Sequence, residues 1–95
     1  MAIAMIMDLP GVTEAQYATA RGLLGEGLQP GNLSHVAGPT EDGWRVVEVW
    51  ESPEAMGAFF QSAAAGAAFQ AAGIPPAQPA VFGVHTHVAA ASPQR

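Results

Sequence analysis

The sequence predicts an α+β domain with the element order βαββαβ, and three patterns carry that prediction. An apolar run at residues 2–8 indicates a buried strand, a turn signal at residues 38–43 separates two strand-like segments, and apolar residues recur at helical spacing over 56–67. A chain of 95 residues fits one domain. We predict that this domain spans residues 1–89 and that residues 90–95 form a flexible tail.

The first strand and helix follow from local signals. Residues 2–8 are apolar at successive positions, which is typical of a strand buried on both faces. Thr13 and Gln16 have the spacing of a capping box, in which each side chain bonds the other residue's backbone amide. Gly25 is a typical helix stop, so the first helix is predicted over residues 14–24.

A β-hairpin is predicted in the middle of the chain. Residues 33–37 can form its first strand, and residues 38–43 are rich in Gly, Pro and Asp, which favour turns. Residues 44–50 are β-branched and aromatic and give the clearest strand pattern in the chain.

The second helix is predicted to begin at Ser52, a typical N-cap, with Pro53 at the first helical position. Its apolar face consists of Met56, Phe59, Phe60, Ala63, Ala64 and Ala67. We predict a bend near Gly66, a final helical turn over residues 68–72 and a last strand over residues 80–88.

This order of elements predicts a ferredoxin-like βαββαβ fold. Right-handed crossovers place the strands of one four-stranded antiparallel sheet in the spatial order fourth, first, third, second, with the helices on one face. Met5 and Ile6 point to opposite faces, as do Val46 and Val47, so both faces are apolar. We therefore predict a homodimer in which a second copy covers the face without helices.

Composition and charge argue against several classes of partner. The net charge is −5, with three arginines and no lysine, so we expect no nucleic-acid binding and no binding to anionic membranes. The apolar start of the chain is too short for a signal peptide or a spanning helix, and we expect a cytoplasmic protein.

The histidines are the first candidates for chemistry. His85 and His87 are two residues apart on the predicted last strand and share a face. His35 lies on the opposite edge strand, so a three-histidine metal site would require a dimer contact, and we predict no metal. His35 and His85 are candidate general bases, whereas His87 is interpreted as a solvated residue at a strand end.

Glu48 is the third candidate catalytic residue, because a buried carboxylate must be paired or its pKa rises. The structural alternatives are an ion pair with Arg45 of another strand or subunit, or a solvated position. Strand parity puts Glu48 on the face of the two tryptophans and predicts that a pocket for a flat apolar ligand lies beneath the helices. The candidate substrate-binding residues are Tyr17, Trp44, Trp50, Met56 and Phe60, for which ordinary core packing is the alternative.

The segment GWRVVEVWESPEA, residues 43–55, resembles the junction of the third strand and second helix in the antibiotic biosynthesis monooxygenase superfamily. The resemblance implies a dimeric α/β barrel. It also implies membership of a group that contains cofactor-free monooxygenases of aromatic polyketides, haem-degrading enzymes, cyclases and isomerases. Trp50 matches the tryptophan at the end of the third strand. Val46 and Met56 stand where the polyketide-oxidising members have Asn or Tyr.

Two functional hypotheses stay open. The first is a small cofactor-independent tailoring enzyme of monooxygenase, cyclase or isomerase type, in which His35, His85 or Glu48 moves a proton of an aromatic or polyketide-like substrate. We expect no flavin and no haem. Haem ligation from the second helix is not expected, because Phe59 or Phe60 stands where many members carry a histidine. The second is a non-catalytic dimeric module that binds a small hydrophobic ligand. A pocket with a titratable group would favour the enzyme.

Overall fold

Four antiparallel strands and three helices make up the computed structural model, which describes residues 1–90. The elements are β1 (Ile3–Pro10), α1 (Glu14–Leu24), β2 (Asn32–Thr40), β3 (Gly43–Trp50), α2 (Pro53–Phe60), α3 (Ala63–Ala72) and β4 (Ala80–Gly83). The sheet order β2-β3-β1-β4 confirms the predicted ferredoxin-like arrangement. The predicted tail begins at Ala90, and the rest of it lies outside the described residues.

The central strands β1 and β3 supply the sheet face that packs under the helices. On β3 the residues Trp44, Val46, Glu48 and Trp50 are buried, whereas Arg45 is exposed, which confirms the predicted parity. The β1 residues opposite them are buried or partly buried, since directly opposed residues share a face. This inner face forms the floor of the molecule's core.

Helix α1 has the predicted bounds and the predicted cap. The Gln16 amide N–H donates to Thr13 Oγ1 at 3.2 Å, and the Thr13 N–H donates to Gln16 Oε1 at 2.9 Å. Gln16 Nε2 also donates to the Gly73 carbonyl at 3.0 Å, so the start of α1 is joined to the end of α3.

The predicted long second helix is two helices, and the predicted bend near Gly66 is wrong. The break occurs at Ser62, whose hydroxyl donates to the Phe59 carbonyl at 2.6 Å and accepts from the Ala65 N–H at 3.2 Å. A serine that bonds the backbone in this way ends one helix and caps the next.

The break changes which residues of α3 are buried. Ala63, Ala64 and Ala67, predicted to continue the apolar face, are exposed, and Ala65, Ala68 and Ala72 are buried instead. Phe69, which is not part of the predicted apolar face, packs against Phe59 and Phe60, with ring centroids 6.5 and 6.2 Å away.

The predicted last strand over residues 80–88 is also too long, because β4 ends at Gly83. Gly83 pairs with Ile3, the first residue of β1, so little partner strand remains beyond it. The Val84 N–H donates to the carbonyl of Ala2, the residue before β1, at 2.9 Å. His85 and His87 follow as exposed residues outside the strand.

The β2–β3 hairpin is tighter than predicted. Strand β2 continues to Thr40, which reduces the turn to Glu41 and Asp42. Gly43 is required there, because a Cβ atom at this position would lie 2.2 Å from the Leu9 carbonyl oxygen.

The sheet face opposite the helices is apolar and uncovered within the described chain. Val36 is 65% exposed and Phe82 is 56% exposed, and Ile6, Val47 and Val49 lie between them partly buried. No helix within residues 1–90 combines the length and the apolar character that crossing a bilayer requires.

Candidate active site

A cavity of about 880 Å³ lies between the inner face of the sheet and the helices. Its floor includes Met5 and Val46, and Phe60 and Phe69 contribute an aromatic wall. Residues 74–79, the Pro-rich connection before β4, line another side. The lining suits a mostly apolar molecule.

A chain of hydrogen bonds joins three side chains that line the cavity and one beneath it. The Tyr17 hydroxyl lies 2.5 Å from His35 Nε2, and His35 Nδ1 lies 2.6 Å from Glu48 Oε2. The Trp50 indole N–H donates to the other carboxylate oxygen, Oε1, at 3.0 Å. Elements α1, β2 and β3 therefore converge on one polar cluster in an apolar pocket.

The β2–β3 register and an irregularity at the start of β2 orient this cluster. His35 pairs directly with Glu48, so their side chains share the inner face. The register shifts between Asn32 and Ser34, which allows Asn32 and His35, three residues apart, both to face the cavity. Asn32 Nδ2 fixes this bulge by donating to the carbonyls of Ser34 and Val49 at 3.0 and 2.9 Å.

The bonding pattern assigns a direction to each proton in the cluster. A carboxylate only accepts hydrogen bonds, so His35 Nδ1 carries the proton that is donated to Glu48. The lone pair of Nε2 then accepts from the Tyr17 hydroxyl. Glu48 is buried, but each of its oxygens has a donor, which offsets the cost of burying its charge.

Burial raises the pKa of the Tyr17 hydroxyl above its usual value. The positive charge of Arg21 acts in the opposite direction, and the negative charge of Glu48 adds to the increase. Tyr17 is therefore a neutral O–H group at neutral pH, which can donate a proton and can pass one on.

Five of the residues predicted from sequence line this cavity: Tyr17, His35, Glu48, Met56 and Phe60. Trp50, predicted to line it, is instead fully buried, stacks on Phe59 at 5.8 Å and supports Glu48 from below. The sequence identified the correct face but not the depth of this side chain, because depth depends on how α2 packs over the strand.

The other predicted residues lie elsewhere. Trp44 is buried beside Tyr17, with ring centroids 5.1 Å apart, and lines a second depression together with Tyr17 and Arg21. His85 is exposed, with Nδ1 2.6 Å from Thr86 Oγ1, and does not line the cavity. Within one chain Glu48 does not pair with Arg45, because Arg45 pairs with Asp8 on the other face of the sheet at 2.6 and 3.0 Å.

Sequence reasoning missed several polar residues of the cavity, among them Arg21, Gln29 and Asn32. Arg21 had a signal, since it lies four residues after Tyr17 and shares its helix face. Asn32 had none, because a regular strand would have put it and His35 on opposite faces. Within residues 1–90, no three His, Asp or Glu side chains are grouped as metal ligands.

Comparison with models of protein families identifies the family of this chain. The sequence model of the antibiotic biosynthesis monooxygenase family matches residues 1–71, most of the chain. The chain belongs to this family. The expected resemblance is thereby confirmed, whereas a comparison with curated protein sequences gives no match.

Solved structures agree on the fold. A Chloroflexus aurantiacus protein described as an antibiotic biosynthesis monooxygenase superposes with a TM-score of 0.65 at 23% identity, over 93% of this chain and 98% of its own. SnoaB, a cofactor-independent oxygenase from Streptomyces nogalater solved as the N63A mutant, superposes with a TM-score of 0.67 at 11% sequence identity. The match covers 92% of this chain and 96% of SnoaB. A Deinococcus radiodurans protein, also described as an antibiotic biosynthesis monooxygenase, superposes with a TM-score of 0.59 at 14% sequence identity. The match covers 97% of this chain and 100% of that protein.

Proposed function

We propose that this chain is a cofactor-independent tailoring enzyme of monooxygenase type that acts on an aromatic, polyketide-like substrate. The observation that carries the proposal is the Tyr17–His35–Glu48 hydrogen-bond chain, which opens on an apolar cavity. Family membership and the fold shared with SnoaB, a cofactor-independent oxygenase, support the reaction class.

The first step is removal of a proton from a phenol or enol of the substrate. The substrate O–H donates to the Tyr17 oxygen while the Tyr17 proton moves to His35 Nε2. Glu48 holds His35 in the required tautomer and stabilises the imidazolium that forms. Because its raised pKa keeps Tyr17 neutral between turnovers, Tyr17 transmits the proton and His35 stores it.

The resulting enolate is electron-rich enough to react with O₂ without a cofactor. A carbon–oxygen bond forms at the activated ring carbon, and the stored proton gives a hydroperoxide. Loss of the second hydrogen of that carbon and cleavage of the O–O bond leave a carbonyl and release water. One oxygen atom enters the product, the other enters water, and the substrate supplies all the electrons. The apolar lining suits this step because it keeps water from the enolate.

Anthrone is a suitable probe because its enol tautomer is a phenol, and its reaction with O₂ gives anthraquinone and water. We expect anthraquinone formation without added cofactor, with one O₂ consumed for each product. His35→Gln should slow the reaction by about a hundredfold to ten-thousandfold. His85→Gln is the matched control, since it makes the same change at an exposed histidine outside the cavity.

Three outcomes would contradict the proposal. They are the absence of any acceleration over buffer, an equal loss in both histidine variants, and a stoichiometric flavin or haem in the active protein. Binding of anthrone without turnover and without solvent-deuterium exchange at its methylene carbon would identify a non-catalytic binding module.

The homodimer is part of this proposal. The uncovered sheet face presents Val36 and Phe82 beside partly buried valines, a contiguous apolar surface of the kind that marks an interface. A second copy placed sheet against sheet would cover it and would add buried area to a small domain.

A further inference from the structure

We propose that the cavity selects an anionic aromatic ligand, a hydroxy acid, and that Arg21 of α1 binds its carboxylate. This inference rests on the proposed function for the identity of the cavity as a substrate site. Beyond the proposed function, the charge of the substrate and the residue that recognises this charge are assigned.

Arg21 is a partly buried cation in the wall of a mostly apolar cavity. Its guanidinium donates to the main-chain carbonyl of Glu26 at 2.5 Å, and no carboxylate within residues 1–90 lies at ion-pair distance from it. A guanidinium presents several N–H donors in a planar fork, so most of them remain for a ligand.

The other described arginine shows the contrast. Arg45 donates two hydrogen bonds to the carboxylate of Asp8, from Nε at 2.6 Å and from Nη2 at 3.0 Å, and it lies on the opposite face of the sheet. Glu48, an acid that lines the same cavity, is already engaged by His35 and Trp50. In a chain of net charge −5, an arginine that lines the pocket and forms no ion pair within residues 1–90 has a guanidinium available to an anionic ligand.

The position of Arg21 fixes where that charge would lie on the ligand. Tyr17 and Arg21 are four residues apart on α1, and both line the cavity. Side chains at this spacing are neighbours on a helix, with Cβ atoms about 5–6 Å apart. The bond to Glu26 and the bond from Gln29 Nε2 to the Leu24 carbonyl at 3.3 Å hold the loop that follows. A ligand whose hydroxyl reaches Tyr17 thus presents an adjacent carboxylate to Arg21.

The test compares two probes by titration calorimetry under conditions without turnover. The probes are naphthol and hydroxynaphthoate with the carboxylate next to the hydroxyl. Wild-type protein should bind hydroxynaphthoate more tightly by on the order of tenfold to a hundredfold, the range of charge-assisted hydrogen bonds. Arg21→Gln should abolish this preference and leave naphthol binding unchanged. Arg45→Gln, which removes the same charge from the other face, should retain it.

Several results would overturn the inference. The first is a wild-type protein that shows no preference for hydroxynaphthoate over naphthol, or binds neither probe. The second is an Arg21→Gln protein that loses affinity for both probes in parallel. The third is an Arg45→Gln protein that loses the preference for hydroxynaphthoate. An Arg21 that only complements the dipole at the end of α1 predicts the first of these. If Arg21→Gln does not fold, the wild-type preference must instead shrink with added salt, and a salt-independent preference overturns the assignment. A carboxylate preference without anthrone turnover would leave this inference standing and contradict the proposed function.

Discussion

The two faces of the sheet each carry an acid–base pair with the same shortest separation, 2.6 Å, but in opposite surroundings. On the inner face, the side chains of His35 and Glu48 are 15% and 8% exposed, whereas on the outer face those of Arg45 and Asp8 are 50% and 54% exposed. Water screens the charges of the outer pair, so this ion pair contributes little to the free energy of unfolding. The inner pair has no such screening, so every lone pair and proton in it needs a protein partner.

This difference explains why the organised polar network of residues 1–90 lies on the inner face. The inner pair extends to Tyr17 and Trp50, which satisfy the remaining polar atoms. Within residues 1–90 the outer pair makes no further side-chain hydrogen bond, and apolar residues such as Val36 are exposed on the same face. Equal distances between charged atoms therefore do not indicate equal roles.

The largest effect is expected at the base of the inner face. Trp50→Ala should reduce the free energy of unfolding by about 3–5 kcal/mol, because the indole is fully buried. Trp50→Phe keeps most of the packing and removes the N–H donor to Glu48, so its loss should be smaller. Urea unfolding measures both, and a Trp50→Ala protein of wild-type stability would show that the side chain lines open space.

The outer face should determine assembly. Val36→Asp places an unpaired charge in the proposed interface and should convert a dimer into a monomer at micromolar concentration in sedimentation experiments. Leu23→Asp is the matched control, since Leu23 is similarly exposed, at 59%, but lies on α1. A wild-type protein that is monomeric at micromolar concentration would contradict the dimer.

Breaking the two pairs separately sharpens the comparison. Glu48→Ala leaves the proton on His35 Nδ1 and the Trp50 N–H without acceptors and should cost about 1–3 kcal/mol for each donor left buried. Asp8→Ala should change the free energy of unfolding little, because Arg45 stays solvated. Equal losses in thermal or urea unfolding would contradict the contrast between the faces.

A smaller effect is expected in the alkaline range. Tyr17 is the only tyrosine in the chain, so the ultraviolet absorbance of tyrosinate reports on it alone. Its pKa should exceed the usual value of about 10, chiefly because it is buried. Between the unfolded and folded pKa values the unfolded chain loses its proton first, so stability should fall as pH rises. Tyr17→Phe should remove this decline, and a pKa at or below 10 would contradict the burial.

The sequence predicted the parts of the fold that local chemistry determines. The reciprocal bonds of Thr13 and Gln16 set the start of α1, and the alternation along β3 placed Glu48 on the buried side. The helix break and the end of β4 were not predicted. The sequence does not show that the Ser62 hydroxyl bonds the backbone of Phe59 and Ala65, because the apolar residues around it keep helical spacing. Gly83 ends its strand because β1 begins at its partner, Ile3.

The candidate site was predicted as a set of residues rather than as a geometry. Strand parity grouped Glu48 with the tryptophans, but the contacts between Tyr17, His35 and Glu48 join three elements that are distant in sequence. The bulge at Asn32 depends on the pairing of β2 with β3 and leaves no pattern in the sequence. Long-range pairing thus decided which candidates meet.

Nitrogen NMR of isotopically labelled protein, with His35→Gln used to assign the signal, tests the central claim most directly. At neutral pH the His35 ring should carry its proton on Nδ1, facing Glu48, and have an unprotonated Nε2 that accepts from Tyr17. Tyr17→Phe should change the Nε2 shift and leave Nδ1 protonated. A ring protonated on Nε2 with a bare Nδ1 would contradict the account, because the base would then face the cavity without a lone pair to receive a proton.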